Sequence, residues 1–296
     1  MIPPSAPLNV TVARKRFAIV GDVQRTSVFE VWRESNPRER QAICAAAAAE
    51  EPDFTVLLGD LVVTGSSAAE WTAFDRLVAP LRRVSPLLPI LGNHEYWMAG
   101  SASLANYFAR FPALERRRWY SALYGPLGMI FLDSNLVFLR RRAWDEELRW
   151  YGEELSRLDA DRGVRGILVF VHHPPFTNSR VTADQEHVKT RIVPPMAAAR
   201  KTLAMFSGHV HSYERFGREG KTFVVSGGGG APRAPLSSGR RRRHGDDLFD
   251  GPARRQFHFL SGELGEGGLS FSVHGLDKGG REVAPIDRFD LPWSAA

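Results

Sequence analysis

The sequence predicts an α/β protein in which two packed mixed sheets are flanked by helices. Three observations carry that expectation. Short apolar runs alternate with helical stretches through most of the chain. Near the C-terminus the apolar runs follow one another without helices between them. Five of the earlier runs end in short motifs built from Gly, Asp, Asn and His. The alternation predicts parallel strands, and the later runs predict an antiparallel portion. In such sheets, ligands gather beyond the carboxyl ends of the strands.

Phe17–Val20 is a buried strand running into Gly21-Asp22. A helix is expected from about Glu39 to Glu50, because the Ala45–Ala49 run is a strong helix former. Phe54–Leu58 is a second strand, ending at Gly59-Asp60. From Ala68 to Leu81, Trp71, Phe74, Leu77, Val78 and Leu81 share one helical face. Leu87–Leu91 leads into Gly92-Asn93-His94, and a helical aromatic stretch covers Leu104–Phe111. Trp119–Tyr124 and Met129–Leu132 pair around Gly125-Pro126, and Asp145–Leu158 is an amphipathic helix.

Gly166–Val171 runs into His172-His173-Pro174-Pro175, and Leu203–Phe206 runs toward Gly208-His209. Thr222–Val225 ends at Ser226 and four glycines, Gly227–Gly230, which read as a tight turn because no Lys-Ser/Thr follows. The polar, basic stretch Pro232–Arg255 reads as a mobile loop. Phe257–Leu260 and Leu269–Val273 alternate as antiparallel strands. No composition shift marks a boundary, so the expectation is one domain over 1–296. Its core motifs fall at 17–230, and C-terminal strands at 257–290 complete the second sheet.

Composition narrows the functional classes. Apolar residues make up 43% and charged residues 24% of the 296, which supports a folded core. No apolar run is long enough to span a membrane. Met1–Val12 has no basic stretch followed by an apolar one, so the cytoplasm is the expected compartment; a start already trimmed of its signal would leave secretion or the periplasm open. The single cysteine, Cys44, excludes a thiolate zinc cluster and reads as an apolar filler. The net charge of +6 is concentrated in runs such as Arg240–Arg243, without the interleaved aromatics of a nucleic-acid surface. A small phosphorylated molecule is the expected partner, and oligomeric state is not legible.

The strand-end motifs carry the chemistry. In order they are Gly21-Asp22-Val23-Gln24, Gly59-Asp60, Gly92-Asn93-His94-Glu95, Val169-Phe170-Val171-His172 and Gly208-His209-Val210-His211. Two carboxylates, an amide and several imidazoles suit borderline divalent ions. The ordered set resembles the calcineurin-like metallophosphoesterase superfamily, and Gly208–Arg215 is most similar to its purple acid phosphatase branch. The resemblance implies the four-layer metallophosphoesterase architecture and two divalent ions, Mn, Fe or Zn. It implies Asp22, Asp60 and His211 on the first ion, and Asp60, Asn93, His172 and His209 on the second. It further implies hydrolysis of phosphomonoesters or phosphodiesters by a metal-bound hydroxide, with His94 as catalytic acid.

Gln24, Glu95 and His173 are candidates for further ligation or for orienting the ligands. Tyr213 and Arg215 are candidates for substrate binding. Against the pattern that the resemblance implies, two positions depart: Gln24 stands where many metallophosphoesterases have the histidine of an Asp-x-His opening, and Val63 stands where purple acid phosphatases instead have a tyrosine three residues after the second motif's Asp. A chain that kept this fold as a binding protein without catalysis is therefore the alternative. A nuclease would require a basic groove.

Overall fold

The computed structural model describes residues 6–27, 29–98, 100–249, 251 and 255–294. The first half contains β1 (Leu8–Val10), β2 (Arg16–Val20), α1 (Pro37–Ala49), β3 (Thr55–Leu57), α2 (Ala68–Leu77), α3 (Ala79–Val84), β4 (Leu87–Pro89), α4 (Gly100–Arg110), β5 (Tyr120–Tyr124), β6 (Leu127–Phe131) and α5 (Arg141–Ala160). The second half contains β7 (Gly166–Val171), α6 (Glu186–Arg191), α7 (Val193–Ala198), β8 (Thr202–Ser207), β9 (Tyr213–Arg218), β10 (Lys221–Ser226), β11 (His258–Leu264), β12 (Gly268–Leu276) and β13 (Val283–Pro292).

Two mixed sheets result. One has the order β1-β5-β6-β7-β8-β10-β9 and the other β13-β12-β11-β2-β3-β4. The parallel centres, β6-β7-β8-β10 and β2-β3-β4, are wholly buried at β3, β6, β7 and β8, as strands covered on both faces must be. Aromatic rings bridge the sandwich. Phe131, Phe170 and Phe206 stack across β6, β7 and β8, with centroids 4.8 and 5.6 Å apart, and Phe206 meets Phe271 of the other sheet at 5.2 Å. Helix α1 covers the second sheet with Ile43, Cys44, Ala47 and Ala48. Helix α5 covers the first with Trp144, Tyr151, Leu155 and Leu158. The layers are therefore helix, sheet, sheet, helix, as expected. The C-terminal strands join the second sheet through antiparallel pairing of β11 with β2, Leu260 opposite Ile19.

Several expectations needed revision. The helix expected over Ala68–Leu81 is two helices, breaking at Val78, because Pro80 has no N–H to return to Arg76. The short strand β1 and the edge strand β9 were not expected; neither has a long apolar run, and their neighbours in the sheet define them. The stretch expected to be a mobile loop from Pro232 is strapped across residues 177–184. Arg180 N–H donates to Pro235 O (2.9 Å), Ser237 N–H to Asn178 O (2.8 Å), and the His244 imidazole pairs with Asp184 (2.9 Å). Of that stretch, residues 250 and 252–254 lie outside the described residues, as do 1–5 of the N-terminal segment. The buried Asp53 fastens the start of the chain by accepting N–H groups of Ala13, Arg14 and Lys15 and the Tyr124 hydroxyl. Cys44 is buried, and burial pushes its thiol up to about 12, consistent with an inert filler.

Candidate metal centre

All five motifs arrive at one place. Asp22, Asp60 and Asn93 follow β2, β3 and β4 of one sheet, and His172, His209 and His211 follow β7 and β8 of the other. The backbone turns sharply there. Asp22, Asp60 and His209 adopt φ of 56°, 50° and 66°, in the left-handed region that costs a non-glycine residue about 1–3 kcal/mol. Such conformations persist where the surroundings enforce them, typically at functional sites. The motif glycines are sterically required. A Cβ on Gly92 would lie 2.2 Å from Asp60 Oδ1, and one on Gly208 would lie 2.5 Å from Asp22 Oδ2.

The side chains form two groups that share Asp60. In the first, ligand atoms of Asp22, Asp60 and His211 all lie within 4.8 Å of one another. In the second, His209 Nδ1 is 3.0 Å from Asn93 Oδ1 and 3.2 Å from His172 Nε2. His172 Nε2 is in turn 3.2 Å from Asn93 Oδ1 and 3.4 Å from Asp60 Oδ1. His173 also presents a ring nitrogen to this group. Its Nδ1 is held by Ser134 Oγ at 2.9 Å, and its ring stands 4.5 Å from that of His209.

Backbone carbonyls orient the imidazoles. His172 Nδ1–H donates to Leu58 O at 2.7 Å and His211 Nδ1–H to Pro232 O at 2.6 Å, so each Nε2 lone pair faces inward. Burial, assisted by the neighbouring His172, brings His209 down to about 3, and burial brings His211 down to about 4. Both are thus neutral donors at neutral pH. Burial also disfavours charge on His172, but Asp60 outweighs it and lifts His172 to about 9. The same exchange holds Asp60 well below the carboxylate range despite its burial, while burial raises Asp22.

This donor set fits divalent cations. His172 Nε2 and His209 Nδ1 lie only 3.2 Å apart, so one of them carries a proton there unless a cation takes its place. Gln24 supplies a second observation. Its Nε2 contacts Asp60 Oδ2 (3.4 Å) and His211 Nε2 (3.3 Å), while its Oε1 is buried with no partner among the described residues. A cation beside the first group would satisfy that oxygen if the amide turned over.

Glu95 is fully buried beneath the site. Its carboxylate accepts N–H groups of Asp60 (2.9 Å), Leu61 (2.8 Å) and Gly92 (2.7 Å), so it shapes two of the motif turns. Burial and the charge of Asp60 push it up to about 7. His94 faces the groups from above, with Nε2 3.8 Å from Asp60 Oδ2; its Nδ1–H donates to Val63 O at 2.7 Å. An open cleft of ≈ 200 Å³ lies over this arrangement, and Asp60, Asn93, His94, His209 and His211 line it.

Tyr213 and Arg215, the candidates for substrate binding, are not among the residues that line the cleft. Tyr213 is fully buried and donates to Asp287 Oδ2 (2.7 Å), and Arg215 Nε donates to the same carboxylate (2.9 Å). Their pairing tethers β9 to β13. Conversely, Ser134, His187 and Trp97 were not singled out from sequence. His187 Nε2 donates to Ser134 O at 2.8 Å, behind His173. A signal existed, because Asp133-Ser134-Asn135 closes an apolar strand just as the five motifs do.

A layered sandwich with metal-ligand residues converging from both sheets defines a metallophosphoesterase fold. The family model for calcineurin-like phosphoesterases matches residues 15–213, and the chain belongs to that family. It is 27% identical over 212 residues to purple acid phosphatase 22 of Arabidopsis thaliana, covering 68% of this chain and 45% of that protein. Purple acid phosphatase 23 of the same plant is 28% identical, over 60% of this chain and 42% of that protein. The chain thus spans less than half the length of these relatives. Among solved structures, purple acid phosphatase PPD1 from yellow lupin seeds superposes with a TM-score of 0.68 at 17% identity, over 94% of this chain and 53% of that one. A dimetal phosphatase from Danio rerio gives 0.61 at 14% identity, over 94% and 99%. These structural likenesses concern the fold.

Proposed function

We propose that the chain is a metal-dependent phosphoesterase that hydrolyses phosphomonoesters or phosphodiesters at a pair of divalent ions (Mn, Fe or Zn), within one domain. The observation that carries this is Asp60 standing in both donor groups, with one oxygen toward His172 and the other toward Gln24 and His94. Asp22, Asp60 and His211, joined by Gln24, would hold one ion; Asp60, Asn93, His172 and His209 would hold the other. Paired divalent ions polarise a phosphoryl group and make water nucleophilic at neutral pH. Around them, His94 would give a departing alcohol its proton from Nε2, because Nδ1–H is taken by the Val63 carbonyl and Nε2 lies 3.8 Å from Asp60 Oδ2. His173 steadies His209 from behind, and Glu95 keeps the turns of Asp60 and Gly92 in place.

The test is turnover of para-nitrophenyl phosphate and bis-para-nitrophenyl phosphate by metal-stripped protein, with Mn, Zn or Fe added back and bound metal counted. Activity restored with two equivalents supports the proposal. Asn93→Ala and His209→Ala should each lower turnover by more than about 100-fold while the protein stays folded; near wild-type turnover in either would overturn the ligand assignment. The second reading, a binding protein that kept the fold, is favoured by one observation: the buried Gln24 Oε1 beside the first donor group has no hydrogen-bond partner among the described residues. That reading requires less than one equivalent of bound metal and no turnover.

A further inference from the structure

The lining of the cleft over the donor groups includes both cations and apolar side chains. Arg25 and Arg33 are among them, and each is already engaged by an acid. Arg25 Nε donates to Glu70 Oε1 at 2.6 Å, and Arg33 Nη1 to Glu30 Oε1 at 2.9 Å. Val63, His94, Trp97 and Val181 also line it. There the Trp97 indole overlies the His94 imidazole, with ring centroids 3.8 Å apart and planes inclined by 35°. The turn that places it is closed by Trp97 N–H donating to His94 O at 3.2 Å. The indole nevertheless stays 40% exposed, and Val181, which lines the same cleft, is 68% exposed.

We propose that Trp97, together with Val181, is the binding face for the alcohol portion of the substrate, so that the preferred class is phosphate esters of aromatic or bulky apolar alcohols. The inference rests on the phosphoesterase reading above and deepens it. If His94 serves the departing oxygen, whatever hangs from that oxygen must leave past the ring that covers His94. That ring is an indole, whose open π-surface gains most from an aromatic or apolar neighbour. Arg25 and Arg33 are each paired with an acid, Glu70 and Glu30, which lowers what a second anionic group on the alcohol would gain from them. Trp97 is therefore a specificity-determining residue, separate from those that bind the phosphoryl group.

Phosphonates test this without hydrolysis, because their P–C bond is inert to the reaction. Binding of phenylphosphonate and methylphosphonate to the Mn-loaded protein would be measured by calorimetry for wild type, Trp97→Ala and Trp97→Phe. The wild type should prefer phenylphosphonate by about tenfold. Trp97→Ala should bring that preference to within about twofold while binding methylphosphonate as wild type does, and Trp97→Phe should retain most of it. An unchanged preference in Trp97→Ala, or none in wild type, would overturn the proposal while leaving the phosphoesterase reading intact. Equal losses for both ligands would also overturn it, since Trp97 would then act only through His94. Failure of both phosphonates to bind wild type would remove the metal-site reading and this inference together.

Discussion

Removing the Glu95 carboxylate should loosen both the fold and the site. Glu95 is fully buried and accepts three backbone N–H groups at 2.7–2.9 Å, from Asp60, Leu61 and Gly92. Glu95→Ala strands all three. A buried donor left unsatisfied costs roughly 1–3 kcal/mol, so the gross loss is about 3–9 kcal/mol. Against this stands relief of the cost of burying the acid. A rise from 4.5 to about 7 corresponds to about 3 kcal/mol. The net expectation is a loss of about 0–6 kcal/mol, centred near 3, read by urea denaturation of the metal-free protein. Because two of the three donors belong to the Asp60 and Gly92-Asn93 turns, Mn affinity should also fall by about 10–100-fold. Glu95→Ala more stable than wild type, with Mn affinity unchanged, would refute the premise that this carboxylate holds the turns, since water would then be serving the same N–H groups.

Other outcomes follow from the same geometry. Gln24→His would place an imidazole beside Asp60 and His211, and should raise metal occupancy of the first group, counted by elemental analysis after dialysis. Unchanged occupancy would mean that Gln24 does not face the ion. Asp53 bears on stability against pH. Burial raises its carboxyl, but the Tyr124 hydroxyl and three backbone N–H groups outweigh that and hold it below 3.8. A lowered native value means that the stabilisation is present above pH 3.8 and is lost as pH falls through the native value. Melting of wild type and Asp53→Asn should therefore differ at pH 6 and converge below about pH 3.8. A gap of constant size down to pH 3 would show that the ionised carboxylate is not what anchors the N-terminal segment.

The sequence by itself determined the residue types at the site and the strands that present them. Asp22, Asp60, Asn93, His172, His209 and His211 are legible because a polar residue closing an apolar run interrupts a local pattern, and local patterns need no partner to be read. The layered α/β class was legible for the same reason. Tertiary structure decided how those ends are used. Asp60 serves both groups only because β3 and β7 lie in different sheets whose ends face each other, which no spacing records. The orienting partner of His172 is Leu58 O, 114 residues away, and the second group of donors needs Asn93 and His209, 116 residues apart.

The places where expectation failed share that cause. Tyr213 and Arg215 follow the last motif closely, yet Asp287 on a distant strand draws both away from the cleft. The stretch after Pro232 looks like an unanchored loop in sequence, and becomes a strap because residues 177–184 supply its hydrogen-bond partners. Trp97 looks like an ordinary aromatic until a tight turn lays it over His94. A side chain's chemistry is written locally, but its direction and its partners come from contacts closed by the whole chain.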